Sequence, residues 1–292
     1  MKKRLIKTIF ILTLVFAVTA CSNGNGNNNG IGDVITPPEH GDAEIRAFHV
    51  YSELMQMLSL EDVDFGAFDA DFDINMHMNM FGEDANFNSN GNIRTIVENE
   101  HMQVAMIVTT YITDLGEHEL EPVTVELYMR TYSGGIADFH MAMGGEDLST
   151  TFPTEMLEDM ADAVISDAMN IPRFDINAVW EASIQEASGN TSVAMIVTSD
   201  EITNFMLEAM QMDSQLAMWE QWGLDVDMNF GEFLMTITVD ENNIPLFMTM
   251  EMGMSVHFDE QVTAGFDSHE TVVNAVITYT FNGFGDDVRI MM

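Results

Sequence analysis

The chain has 292 residues, 48 of them acidic and nine basic, and its hydrophobic content of 47% is enough for a packed core. Beyond residue 20 no lysine remains, and Arg46, Arg94, Arg130, Arg173 and Arg289 against 48 acids leave a charge of about −43. Such a field repels phosphate backbones, anionic headgroups and wall polyanions, which excludes nucleic acid as a partner.

Lys2, Lys3, Arg4 and Lys7 precede an apolar run from Ile9 to Val18, which ends in Val18-Thr19-Ala20-Cys21. A charged start, a short apolar run and small residues before a cleavage point make a secretory signal over residues 1–20. The run is about half of the ~20 residues that span a bilayer, so no lasting transmembrane helix is expected. The stretch resembles the lipobox of bacterial lipoproteins, an aliphatic residue two places before a small one and then Cys. That resemblance implies that Cys21, the only cysteine, becomes a lipidated N-terminus on the extracytoplasmic face of the cell membrane. With Cys21 in the anchor, no disulfide is expected. Residues 21–41, rich in Asn and Gly and ending near Pro37-Pro38, read as the lipidated Cys and a flexible tether.

Residues 42–292 read as a single domain. Ala47, Phe48, Tyr51, Leu54, Met55 and Leu58 mark a helix face, with Asp42 as its N-cap. The period then becomes two, with Phe72, Ile74, Met76, Met78 and Met80 alternating with Asp71, Asp73, Asn75, His77 and Asn79. Similar alternation runs through Met102 to Val108, Val123 to Met129 and Phe139 to Met143, with Asn86 to Asn92 and Asp114 to Glu121 read as turns. A helical stripe through Met156, Leu157, Met160, Val164 and Ala168 stops at Pro172. Trp180 to Val197 reads as a hairpin turning at Gly189-Asn190, with a short helix over Ala178 to Ala187 as its competitor. Another helix is expected through Ile202, Phe205, Ala209, Met212, Leu216 and Trp219, stopped by Gly223. Three strands close the chain: Phe233 to Val239, Leu246 to Phe258, and a last one through Val272, Val276 and Thr280. This order predicts an α+β fold, a large curved antiparallel sheet with helices packed on its concave face.

The early helix leading into Phe72 to Met80, the strand Ala137 to Met143 entering the Met156 helix, and the strand Ser192 to Val197 entering the Ile202 helix form a recognisable pattern. With the ending Thr278-Tyr279-Thr280-Phe281 and Val288-Arg289-Ile290, it resembles a family of Met-rich surface lipoproteins of Gram-positive bacteria. That family is in turn similar to lipoprotein carriers of the LolA and LppX type. The resemblance, over roughly residues 42 to 290, implies an unclosed barrel with a concave apolar cavity for a lipid or other hydrophobic ligand. The chain departs from the family in having no lysine beyond residue 20, which weighs against an anionic headgroup.

Methionine carries the first candidate site. Flexible, polarisable thioethers suit a surface that accepts varied apolar ligands, and they equally serve as filler on the buried face of a sheet. Met76, Met78, Met80, Met248, Met250, Met252 and Met254 share strand faces, and Phe205 and Met212 share a helix face, so these nine are the pocket candidates. Copper held by converging thioethers is a weaker reading, since most of these positions point toward a core. Asp84, Asn86, Asn88 and Asn90 alternate as a calcium loop begins, but Gly at the sixth place and Glu at the twelfth do not both follow from either start. Asp69, Asp71 and Asp73 read as a solvated strand face. None of the eight histidines has metal-site spacing, and no nucleophile elbow, phosphate loop or dinucleotide fingerprint is present, so no metal, cofactor or catalytic residue is expected. The leading expectation is a lipid-anchored binding protein for an apolar ligand. The alternative is a non-enzymatic acidic surface module that engages a protein or envelope partner around a filled core.

Overall fold

Alternating apolar and polar residues place one set of side chains on each face of a strand, and this pattern governs most of the molecule. The computed structural model describes residues 40–58, 65–80, 83–98, 101–113, 122–132, 136–143, 146–153, 171–172, 174–198, 226–258, 270–285, 288 and 290. Helix α1 (Asp42–Leu58) opens the described chain. It is followed by β1 (Phe65–Met80), β2 (Glu83–Glu98), β3 (His101–Thr113), β4 (Val123–Tyr132), β5 (Ile136–Met143) and β6 (Glu146–Pro153). A 3-10 turn (Ile176–Ala178) leads into β7 (Val179–Ala187) and β8 (Asn190–Val197). The remaining strands are β9 (Val226–Phe230), β10 (Phe233–Val239), β11 (Pro245–Phe258) and β12 (Glu270–Phe284).

All twelve strands belong to one antiparallel sheet with the order β6-β5-β4-β3-β2-β1-β12-β11-β10-β8-β7, and β9 pairs with the far end of β11. Two meanders are therefore joined where the first strand pairs with the last, in a register that sets Phe72 opposite Tyr279 and Ile74 opposite Ile277. Among the described residues β6 and β7 are left as edges, so the sheet is open. On β7 the edge is bulged at Trp180, carries Glu181 and Glu186, and is packed by α1, devices that discourage pairing with another chain.

The expected α+β fold is not what the chain forms. The described residues make an almost wholly antiparallel β structure with a single α-helix, and that helix packs on β7 and β8. Strand pairing runs straight through two segments where no strand was expected. Asn86 to Asn92 is the middle of β2, with Phe87, Ser89, Gly91 and Ile93 turned to one face and the asparagines to the other. Residues 146–153 form the edge strand β6. The expected helices around Met156 and Ile202 lie outside the described residues, as do the whole of residues 114–121 and of residues 1–39. Of the stretch Ala178 to Ala187, all but Ala178 is strand, and its hairpin turns at Ser188 and Gly189, whose φ angles of 56° and 85° give the left-handed pair that matches strand twist.

Helix α1 begins one residue earlier in its capping than the sequence predicts. The carbonyl of Gly41 accepts the first helical bond from Ile45, and the Glu44 carboxylate reaches back 3.0 Å to accept from the Gly41 N–H. Gly41 is thus the N-cap, and Asp42 and Glu44 set negative charge against the positive end of the helix dipole. Ala47, Val50, Tyr51, Leu54 and Leu58 bury one helix face in a core that takes in Phe68 and Phe72 of β1, Met195 of β8 and Met235 of β10. A second, smaller cluster gathers Val104, Met129, Ala137 and Phe139 across β3, β4 and β5.

Candidate functional site

Strand register decides which of the candidate methionines meet. On the apolar face, Met76 of β1 and Met252 of β11 both pair with Ala275 of β12, so a small residue separates two thioethers in one cross-strand row. The next row sets Met78 and Met254 on either side of Val273, and two rows back Phe72 and Met248 flank Tyr279. Met250 also pairs with Met235 of β10, which pairs with Met195 of β8, giving three methionines in contiguous strands.

Exposure is graded along β11. Met248 and Met250 are fully buried, as are Met195 and Met235, while Met252 and Met254 are half-buried. On β1 the same contrast separates half-buried Met76 from buried Met78. Met80 ends β1 opposite Glu83 and Thr271. Phe205, Met212 and Cys21 lie outside the described residues. Near Met248, burial pushes the Tyr279 phenol well above its ordinary pKa, so the ring stays neutral in the core.

The polar face holds a site that the sequence reading passed over. Register lines up Thr280, Asp71, Asn92 and Ile107 as one row across β12, β1, β2 and β3. The neighbouring row is Thr278, Asp73, Asn90 and Thr109. Both rows line an open groove of about 460 Å3, with Phe72 and Gly91 at the point where the strands are pinched together. A second hollow shares Asp71, Asn92 and Ile107 and continues to Arg94.

Side-chain bonds fix one end of this groove. Asn92 Nδ2 donates to Asp69 Oδ1 at 2.7 Å and to Asp71 Oδ1 at 2.8 Å, and Asn282 Nδ2 donates to Asp71 Oδ2 at 2.9 Å. Arg94 Nε lies 2.8 Å from Asp69 Oδ2, a charge contact without the alignment of a hydrogen bond. Asp73 accepts from Asn75. Asp69 is therefore a half-buried, paired group, not part of a freely solvated face, whereas Asp71 and Asp73 are exposed. The missed signal was the period of two through Phe87, Ser89, Gly91 and Ile93, masked by the Asn and Gly that otherwise mark turns.

The histidines of the polar face pair with acids on neighbouring strands. His77 lies 3.7 Å from Asp84, His140 3.3 Å from Asp147, and His257 3.3 Å from Glu270. Among the described residues, no three His, Cys, Asp or Glu side chains gather as metal ligands.

Fold and faces together define an open antiparallel β protein with one apolar, methionine-rich wall and one polar wall. No family model matches this chain, and no curated protein matches it. Among solved structures it is similar to the ywiB protein of Bacillus subtilis at 8% identity and a TM-score of 0.18, covering 74% of this chain and 94% of that one. A DUF1329 family protein of Desulfovibrio piger matches at 7% identity and a TM-score of 0.22, covering 86% and 96%. An outer membrane lipoprotein-sorting protein domain of Vibrio parahaemolyticus matches at 6% identity and a TM-score of 0.17, covering 85% and 95%. Neighbours of the expected carrier type are thus present, at scores that carry no argument about function.

Proposed function

We propose that the protein is a lipid-anchored extracytoplasmic binding protein, not an enzyme, and that the apolar wall of its sheet holds a lipid or other hydrophobic ligand. The observation that carries this reading is the graded exposure of the methionine rows, sealed at Met248 and Met250 and half-open at Met76, Met252 and Met254. Half-exposed thioethers flanking the small Ala275 give a deformable apolar surface, which suits a ligand of variable shape. The scarcity of cations in the mature chain favours a ligand without an anionic headgroup.

The test is titration of the protein with an environment-sensitive fluorescent alkyl probe, beside native mass spectrometry of the chain as purified. Saturable binding that weakens in Met252→Ala is the expected result. A parent chain that binds no probe and carries no co-purified lipid would overturn the reading and favour a filled core, with function on the acidic exterior. Anchoring is tested separately. Cys21→Ser should abolish fatty-acid labelling, and unchanged labelling would end the lipoprotein assignment.

A further inference from the structure

We propose that the groove on the polar face is a second binding site, and that it takes a neutral sugar chain. The argument starts from which hydrogen-bonding groups are already used. Both oxygens of Asp71 accept from asparagine amides, and Asp73 accepts from Asn75, so these carboxylates are held in place and keep lone pairs to spare. Beside them stand amide and hydroxyl groups that can donate, from Asn90, Thr278 and Thr280. Ile107 is 49% exposed and gives the groove an apolar patch.

This mixture discriminates between ligand classes. An anion would face Asp71 and Asp73 within a strongly acidic molecule, and Arg94, which lines the adjoining hollow, is already in charge contact with Asp69. A metal ion needs acceptors converging on one point, whereas here donors are interleaved with acceptors, and no ligand trio exists among the described residues. A sugar hydroxyl both donates and accepts, which matches a surface where carboxylate, amide and hydroxyl alternate. The C–H faces of a sugar ring have their counterpart in Ile107 and the threonine methyls. Each row crosses four strands spaced about 4.8 Å apart, so a polar or apolar partner recurs on the scale of one pyranose ring. A volume of about 460 Å3 lies within the range of small-ligand sites.

The experiment uses the full chain carried in phosphatidylcholine nanodiscs and isothermal calorimetry. The probes are neutral hexasaccharides of α-linked glucose, β-linked glucose and N-acetylglucosamine, with oligogalacturonate as the anionic counterpart. At least one neutral probe should bind and oligogalacturonate should not. Asn90→Ala and Thr278→Ala should each weaken binding roughly 3- to 10-fold, the loss expected for one hydrogen bond. Thermal melts establish that the variants fold, and either variant alone suffices if the other does not. An alkyl probe seated on the opposite wall should leave sugar binding unchanged. Silence from all three neutral probes overturns the proposal. So does undiminished binding in folded variants, equal binding of oligogalacturonate, or displacement of the sugar by the alkyl probe.

Discussion

The ring of Phe72 on β1 occupies the space that a side chain on Gly91 of β2 would need. A Cβ built on Gly91 falls 2.5 Å from Phe72 Cζ, and it also collides with the backbone carbonyl oxygen of Ile107 on β3. The pair are register partners, so glycine is what lets three strands close up beneath the groove. Gly91→Ala should therefore destabilise the protein by about 1–3 kcal/mol, the usual cost of overpacking. Adding Phe72→Leu should not restore the loss, because the Ile107 carbonyl belongs to the ladder and cannot turn away. Denaturant melts check both variants, and a Gly91→Ala chain as stable as the parent would refute the close approach.

The two ends of the β11 methionine row should respond differently to truncation. Met250 is fully buried between Met235 and Ile277, so Met250→Ala should leave a cavity and cost about 2–5 kcal/mol. Met252 is half-buried beside Ala275, and Met252→Ala should cost about 1 kcal/mol or less while changing alkyl-probe affinity. Equal losses at both positions, with no change in probe binding, would make the whole row packing.

Strands whose two faces see different surroundings were legible in the sequence. Phe72 to Met78, Val104 to Val108 and Phe233 to Val239 show their alternation because one side is more deeply buried than the other. Strand β2 was hidden by composition. Asn86, Asn88, Asn90 and Asn92 resemble a loop, yet as register partners of β1 they form the polar half of a strand. Strand β6 was hidden for a different reason. As an edge it is supported from one side only, and Glu146 to Ser149 are all exposed, so no inside and outside is written into it. The methionine faces could be grouped from spacing, but the split between sealed Met250 and half-open Met252 depends on what packs above each. The groove could not be read at all, since Thr280, Asp71, Asn92 and Ile107 become neighbours only through the pairing of four strands.

Tyr51 ties α1 to the segment that enters β7. Its hydroxyl donates to the Pro172 carbonyl at 2.8 Å and accepts from the Phe174 N–H at 3.3 Å, and its ring stacks on Phe174 at 4.2 Å. Tyr51→Phe keeps the stack and leaves a buried carbonyl without that partner, which should cost about 1–2 kcal/mol. Tyr51→Leu should cost more, because the stacked pair is lost as well. Urea melts of the two variants test this, and a Tyr51→Leu chain no less stable than Tyr51→Phe would show that the stack contributes nothing.

The turn between β10 and β11 should carry a pH dependence of known sign. Asp240 Oδ1 accepts from the backbone N–H of Ile244 and of Asn242, each at 2.8 Å, and closes a loop in which Asn243 takes a left-handed φ of 62°. The Ile244 N–H does most to hold the Asp240 carboxyl below its ordinary range; desolvation opposes it, and the N–H and side-chain amide of Asn242 add to the lowering. A carboxyl with a lowered folded pKa stabilises the fold above its unfolded value, and that contribution is lost as pH falls through the folded one. Parent and Asp240→Ala should therefore differ in stability at about pH 6, and the gap should narrow as the solution is taken toward about pH 2. Comparing each against the other at every pH cancels the titration of the remaining acids. Asp240→Asn, which keeps an acceptor but no charge, should lie between them at about pH 6 and show no narrowing of its own gap to Asp240→Ala. A parent-to-alanine gap that stays constant across this range, measured by urea melts, would mean that the ionised carboxylate does not hold the turn.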